Sequence, residues 1–530
     1  MNRCRWMCRN LANPDLILHN GRIYPRADGR VQAEAVAVWN GRVTDVGSDS
    51  DILRQRARSV EVIDLRRSAV VPGMSDSHIH LLWYGMLLRT VDLAGKRSVK
   101  EVRNAVEVSA RSGPRNGWIV GRGWDQERLR EHRYLNRADL NQFGTHPVFL
   151  KRVCGHVAVV NDRALSLSGI GMDTPDPQGG EIVRDPITGE PTGLLKESAI
   201  GLVEKAVPRS EAEVRSALVE AARRLLRLGL TSLHCIVEDA LEFRVLHQLK
   251  NEGRIAQSIY AILPLGLLDE AVGMGMTGDR GSNGFRVGGV KVYLDGSLGA
   301  RTAALFEPYS DESGALGILR MTVSDLAEAA EKVSQSGFQL CAHAIGDRAV
   351  EAAVAALEKT GRRVRGRSLR HRIEHSSITP PRLIARMKRA GVVASVQPRF
   401  IYSDTWAGKR LGPRRLLHLY PFRSMLNAGL NLAFGSDCPV EDPNPFDGVW
   451  SAVVRPGLSP SQSLSVPEAL SCYTTGAAFA SFSEADHGTL EPGKKADMVV
   501  LDRDPFNCSH DALRRIRAVH TFVGGKLLQP

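Results

Sequence analysis

Apolar stretches of strand length recur through the middle of the chain. They run over Thr231 to Val237, Ile255 to Leu263, Val287 to Leu294, Gln339 to Ile345, Leu369 to His375, Val392 to Val396 and Leu430 to Phe434, and Val70-Val71 leads into one more. Helical periodicity separates most of them, as over Asp347 to Leu357. Ser210 to Leu228 predicts a helix: Ser210 and Glu213 form a capping box, Val214, Leu218, Leu225 and Leu228 share one face, and Gly229 ends it. This alternation predicts an α/β fold, a closed parallel (β/α)8 TIM-like barrel rather than an open doubly wound sheet.

The chain ends read as antiparallel β. Leu16 to Tyr24 and Ala35 to Val43 each read as strand, turn and strand, with Asn20-Gly21 and Asn40-Gly41 supplying the positive φ of a tight turn. Met498 to Leu501 and Thr521 to Gly525 resume the pattern. A small β-sandwich domain built from residues 1–72 and 490–530 is expected, with the barrel over 73–489. An inserted subdomain after the first barrel strand is expected at about 85–209, with a hairpin from Gly180-Glu181-Ile182-Val183 to Thr192-Gly193-Leu194-Leu195. It is expected to cover the barrel mouth.

Polar residues end several of the apolar stretches: Ser77-His78-Ile79-His80, Cys341 to Asp347, Arg372-Ile373-Glu374-His375 and Gly435-Ser436-Asp437. Residues at i and i+2 of a strand share a face, so His78 and His80 can grip one ion from one side. A reactive site of a barrel lies at the C-terminal ends of its strands, where these residues fall. Imidazole and carboxylate suit zinc and its first-row neighbours.

Bulk properties narrow the class. With 530 residues, 43% hydrophobic and 24% charged, the chain is an ordinary globular sequence too long for one simple core. No apolar run approaches the ~18 residues of a membrane span. The N-terminus, Met1 to Cys8, is basic but no apolar segment follows, so no secretory signal is read. Eight scattered cysteines fit free thiols in a reducing cytoplasm, and Cys4 and Cys8 lack the second pair that a zinc knuckle needs. The net charge of +12 raises nucleic acid as a partner, but the densest run, Arg362 to Arg367, reads as a solvated loop and no basic helix accompanies it. A small-molecule substrate is expected, with no specific nucleic acid, no membrane, and a homodimer as the assembly.

The order HxH, Lys, His, His, Asp on successive strands resembles the metal-dependent amidohydrolase superfamily, and its details resemble the YtcJ-like branch, amidohydrolase family 3, which includes N-substituted formamide deformylases. The segments that carry the resemblance include Val71-Pro72-Gly73, Gly121 to Asp125, Cys154-Gly155-His156-Val157 with Asn161, and Lys291 to Ser297 with Thr302-Ala303. They continue with His343 to Ala349, His371 to His375, Val396-Gln397-Pro398, Gly435-Ser436-Asp437 and Pro492 to Asp497. The resemblance implies that His78, His80 and Asp437 bind the more buried metal, that His343 and His375 hold a second, and that Lys291, carboxylated, bridges the two. Two zinc ions are expected, with Fe, Mn or Co as alternatives. It further implies hydrolysis of carbon–nitrogen, non-peptide, amide-type bonds by metal-activated hydroxide, with Asp437 also the proton shuttle. A deaminase or C–O hydrolase on the same scaffold, or a non-catalytic regulatory homologue, is the alternative.

Other positions have two readings each. Lys291 in an apolar run is a carbamate, or a lysine that snorkels or pairs with Asp295. Trp124, Asp125 and His156 contact substrate or determine folding; Gln397 lies at the mouth; Arg301 binds a substrate carboxylate; His371 supports His375 or packs in the core. Neither His234 nor Cys235 is read as a ligand.

Overall fold

Eight parallel strands form the main sheet: β1 (Met74–Ile79), β2 (Leu230–Ile236), β3 (Ser258–Pro264), β4 (Phe285–Tyr293), β5 (Gln339–Ala344), β6 (Arg372–His375), β7 (Val393–Val396) and β8 (Asn431–Phe434). The structure is a computed structural model, and it describes all residues except 1–13, 31–32, 113–115, 153–156, 178, 279–280, 361–362, 365–366 and 530. Neighbours in the sheet follow chain order from β1 to β8. Helices such as Ala240–Asn251, Val323–Gln335, Asp347–Lys359 and Pro381–Ala390 make the crossovers. The strands are buried along almost their whole length, as expected where a parallel sheet is covered on both faces.

The barrel closes by a seam rather than a ladder. Asp437 N donates to His78 O at 2.7 Å, and His80 N donates to Cys438 O at 2.9 Å. The buried Asp76 carboxylate accepts from Ser436 N at 3.0 Å and Ser436 Oγ at 2.6 Å. Only glycine fits at 435, since a Cβ there would lie 2.5 Å from His78 N. The sheet is thus a nearly closed TIM-like barrel.

Val70-Val71 lies outside that barrel. It belongs to the strand Ala69–Pro72, which pairs antiparallel with Met498–Leu501, Val71 opposite Val499. The chain crosses from one sheet to the other at Gly73, where a Cβ would meet Thr231 Oγ1 at 2.2 Å. Two small sheets pack there. One has the order Arg42–Gly47, Ala35–Trp39, Leu16–His19, Glu61–Asp64; the other Arg22–Ile23, Ala69–Pro72, Met498–Leu501, Ala518–Val523, Lys526–Gln529. Leu16, Leu18, Val36 and Val38 from the first share a core with Val70, Met498, Val500 and Phe522 from the second. Asn40-Gly41 closes a hairpin, Trp39 opposite Arg42. Asn20-Gly21 instead hands the chain from the first sheet to the second.

The described chain divides into two compact units, 1–85 with 218–530, and 86–217. The second has a six-stranded sheet, ordered Gly180–Arg184, Pro191–Glu197, Val157–Val160, Val148–Arg152, Ile119–Trp124, Val91–Asp92. Its strands alternate between two cores: Val148 and Leu150 face Val102 and Val106 of one helix, while Phe149 faces Ala164 and Leu165 of another. Helix Glu211–Leu226 begins with the expected capping box, Ser210 N donating to Glu213 Oε2 at 2.9 Å.

Among the described residues, no helix is long and apolar enough to cross a membrane. Cys235, Cys341, Cys438 and Cys472 are buried free thiols. Cys4, Cys8, Cys154 and part of the Arg362 to Arg367 run lie outside the described residues.

Candidate metal centre

The C-terminal ends of β1, β4, β5, β6 and β8 bring six side chains together. His78 Nε2 lies 3.4 Å from Asp437 Oδ1 and 3.2 Å from Lys291 Nζ. His80 Nε2 lies 3.2 Å from the same Asp437 oxygen. The His375 ring centre is 5.0 Å from that of His78 and 4.5 Å from that of His343. His78, His80 and Asp437 each offer a ligand atom within 4.8 Å of the others, a geometry suited to one ion.

Backbone strain helps to aim two of the groups. His375, at the end of β6, has φ 70°, and Asp437, after β8, has φ 58°. Left-handed backbone is uncommon away from glycine and marks positions fixed by their surroundings. At His375 it breaks the strand alternation, so Glu374 keeps the inward place and His375 turns to the mouth.

Each of the four histidines has one ring nitrogen engaged by an oxygen acceptor. Glu374 Oε2 lies 2.5 Å from His78 Nδ1, and Glu238 Oε1 lies 2.7 Å from His80 Nδ1. Gln397 Oε1 lies 2.7 Å from His375 Nδ1, and Gly296 O lies 3.0 Å from His343 Nε2. A neutral imidazole that donates at one nitrogen presents a lone pair at the other, which is the arrangement of metal-ligating histidines. The donor set therefore fits a divalent ion.

The electrostatics suit the same reading. Burial lowers the Lys291 pKa, because the ammonium loses its hydration there. Burial, aided by the charge of Lys291, pushes His78 down to about 4. His375 also falls well below the usual value, through burial and the nearby His343. Burial opposes ionisation of Asp437, but its hydrogen bond with His80 and the charges of the surrounding histidines hold it far below the usual carboxylate range. His80 moves the other way: burial disfavours its charge, yet hydrogen bonds to Asp437 and Glu238 outweigh that and raise it to about 9, and a bound divalent ion would displace the Nε2 proton to take its lone pair. His78 and His80 diverge because burial weighs more heavily on His78, while a hydrogen bond with Asp437 supports the charged form of His80 alone.

Over residues 61–529 the sequence matches the amidohydrolase family. The chain belongs to that family. This amidohydrolase is 33% identical to YtcJ of Bacillus subtilis, named as an amidohydrolase, across 97% of this chain and 99% of the relative. It is 28% identical to the N-substituted formamide deformylase of Arthrobacter pascens, across 97% and 98%. A protein of Pectobacterium carotovorum named as the exoenzymes regulatory protein AepA is 23% identical across 63% of this chain and 74% of its own. The crystal structure of an uncharacterized metal-dependent hydrolase from Pyrococcus furiosus superposes with a TM-score of 0.82 at 34% identity, covering 93% of this chain and all of that one.

The remaining candidates of this amidohydrolase each have partners of their own. Trp124 is fully buried in the 86–217 unit, its Nε1 donating to Leu150 O at 2.9 Å, and Asp125 pairs with Arg152 at 2.8 Å. His156 lies outside the described residues. Asn161 caps helix Asp162–Leu167 by accepting from Ala164 N. Asp295 accepts from Ala304 N, Ile345 N and Gly346 N, tying the β4 loop to the β5 loop, and its Oδ1 lies 3.3 Å from His343 Nε2. The Arg301 guanidinium is engaged by Asp311 and Glu312 at 3.0 Å each. His371 packs in the core, accepting from Leu340 N at 3.0 Å. Three partners escaped the sequence reading: Glu238, Arg372 and Glu374. Glu238 follows an apolar strand, the same signal that marked the other positions. Arg372 and Glu374 stand two apart on β6, so alternation alone places them on one face.

Proposed function

We propose that this amidohydrolase hydrolyses a carbon–nitrogen, non-peptide, amide-type bond of a small molecule, releasing an acid and an amine. The observation that carries the proposal is the set of four histidines, each held at one nitrogen by an acceptor and converging with Lys291 and Asp437. His78, His80 and Asp437 would hold one divalent ion, and His343 and His375 a second, with Lys291 as its carbamate between them. Zinc suits these ligands. A bound divalent ion supplies Lewis acidity, which polarises a substrate carbonyl and makes water nucleophilic near neutral pH.

The side chains do the rest. Glu374, Glu238, Gln397 and the Gly296 carbonyl fix the ring orientations. Asp437, beside His80 at the mouth of the site, would accept a proton from the attacking water and return it to the leaving nitrogen. Trp83, half exposed and stacked 4.8 Å from the His80 ring, and Tyr293, 39% exposed beside His343, offer aromatic surface for an apolar substituent. The deformylase relative, by its name, acts on N-substituted formamides, which supports an N-formyl or N-acyl compound.

The test is elemental analysis of the purified protein followed by a screen of N-formyl amines, N-acyl amino acids and cyclic amides. Bound zinc and release of amine with acid are expected. Release of ammonia alone would move the assignment to a deaminase. A regulatory role is favoured by the likeness to AepA, and metal-loaded protein inert across the screen would point there.

A further inference from the structure

Beneath the histidines, the barrel interior holds a buried charged array of which the proposed function uses only the Glu374 contact to His78. Arg372 and Glu374 project inward from β6 and are wholly buried. Arg372 Nε lies 2.7 Å from Glu374 Oε1, and Arg372 Nη2 lies 3.0 Å from Glu374 Oε2. The other arginine donors are also engaged: Nη2 reaches Ser77 O at 2.6 Å and Ser395 Oγ at 2.8 Å, and Nη1 lies 3.2 Å from His234 Nδ1. Glu374 Oε2 faces His78 Nδ1.

A buried ion pair of this kind generally gives no more stability than apolar side chains of the same volume, because both ions lose their hydration. Stability alone therefore does not account for it. The outer partners of the other histidines are of a weaker kind. Glu238, on His80, is 25% exposed; Gln397, on His375, is neutral; His343 meets a backbone carbonyl at 3.0 Å and, at a longer 3.3 Å, the buried Asp295 carboxylate, which three backbone N–H groups hold rather than a guanidinium. Among the described residues, His78 has the one outer partner that is a wholly buried carboxylate clamped by a guanidinium.

We infer that Glu374 and Arg372 are positioning residues that make His78 a preorganised metal ligand. Glu374 accepts the Nδ1 proton of His78, which leaves the Nε2 lone pair facing Asp437 and Lys291. Arg372 fixes Glu374 from two sides, and Ser77 O, Ser395 and His234 fix Arg372. The inference rests on the metal-centre reading above.

The experiment measures zinc affinity of the full chain by competition with a chromogenic chelator, beside the melting temperature of the metal-free protein. The variant Arg372→Met with Glu374→Leu replaces the pair by apolar side chains of similar size. Its metal-free melting temperature should stay close to that of the wild type. Its zinc affinity should fall about 10- to 100-fold, the scale for losing an outer partner of a ligating histidine. Glu374→Gln, which keeps the volume, should show a loss of the same order. Wild-type zinc affinity in either folded variant would overturn the inference, and so would failure of both to fold, which would make the pair a folding determinant. A wild-type protein that binds no zinc would instead overturn the metal-centre reading itself.

Discussion

A neutral imidazole has one proton and one lone pair, so an acceptor on one nitrogen decides which way the other can serve. At His78, His80, His343 and His375 that decision is made by Glu374, Glu238, Gly296 O and Gln397. The ligand positions were legible in the sequence because a polar residue ending an apolar strand is conspicuous. Their supporting shell was not, because Glu374 beside His375 reads as one more ligand candidate until the left-handed turn at His375 separates their directions. Asp437→Asn keeps the shape but cannot take a proton, so kcat should drop by about 10²-fold or more with the fold intact by circular dichroism. Near-wild-type turnover would remove the shuttle role. Lys291→Ala should lower metal content per chain, with partial recovery in added formate or acetate, which can stand in for the bridging carbamate. Full metal content in that variant, by elemental analysis, would show that Lys291 is not a bridge.

Elements deliver these residues, and the sequence located the elements better than their junctions. The period of apolar stretches gave strands β2 to β8 near their observed places. The strand that Val70-Val71 leads into begins only at Met74, while Val70-Val71, as apolar as a barrel strand, itself pairs with Met498–Leu501. Nothing local distinguishes the two sheets; the change of partner occurs at Gly73 and is set by close packing on Thr231. At the other end of the barrel, Gly435→Ala would drive a methyl against His78 N and to 3.0 Å from Asp76 Oδ1. A destabilisation of about 1–3 kcal/mol, typical of overpacking, should appear in denaturant unfolding. Helix Val466–Ser471 offers a pH test. Glu468 caps it and takes a two-pronged bond from Arg423 at 2.5 and 2.6 Å. The Arg423 hydrogen bonds, against some burial, lower its pKa from 4.5 to about 2. A depressed carboxylate contributes stability that is complete above the unfolded-state value and is lost as pH falls through the folded one. The stability difference between wild type and Glu468→Gln, measured by urea unfolding, should therefore be largest near pH 7 and shrink between about pH 4.5 and pH 2. A difference independent of pH would exclude this linkage.

At the scale of the whole molecule, the separation into 1–85 with 218–530, and 86–217, has one boundary inside helix Glu211–Leu226, where no change of apolar periodicity marks it in the sequence. The six-stranded sheet of the second unit was legible only in part, since Val157–Val160 and Val91–Asp92 are short and lack strong turn signals. A ligand that binds the native state alone raises stability by mass action, about 2.7 kcal/mol at a free concentration of 100 Kd. Zinc added to chelator-treated protein should therefore raise the melting temperature, and an unmoved transition would show that no metal is linked to folding. The seam between β1 and β8 bears on how the molecule is made. His78 and His80 are made early, but Asp437, their neighbour across the seam, comes from the last strand of the ring and is made late. A chain that stops before β8 lacks Asp437, the one group that His78 and His80 both face. Capture of an ion by this trio thus waits on the strand that closes the ring.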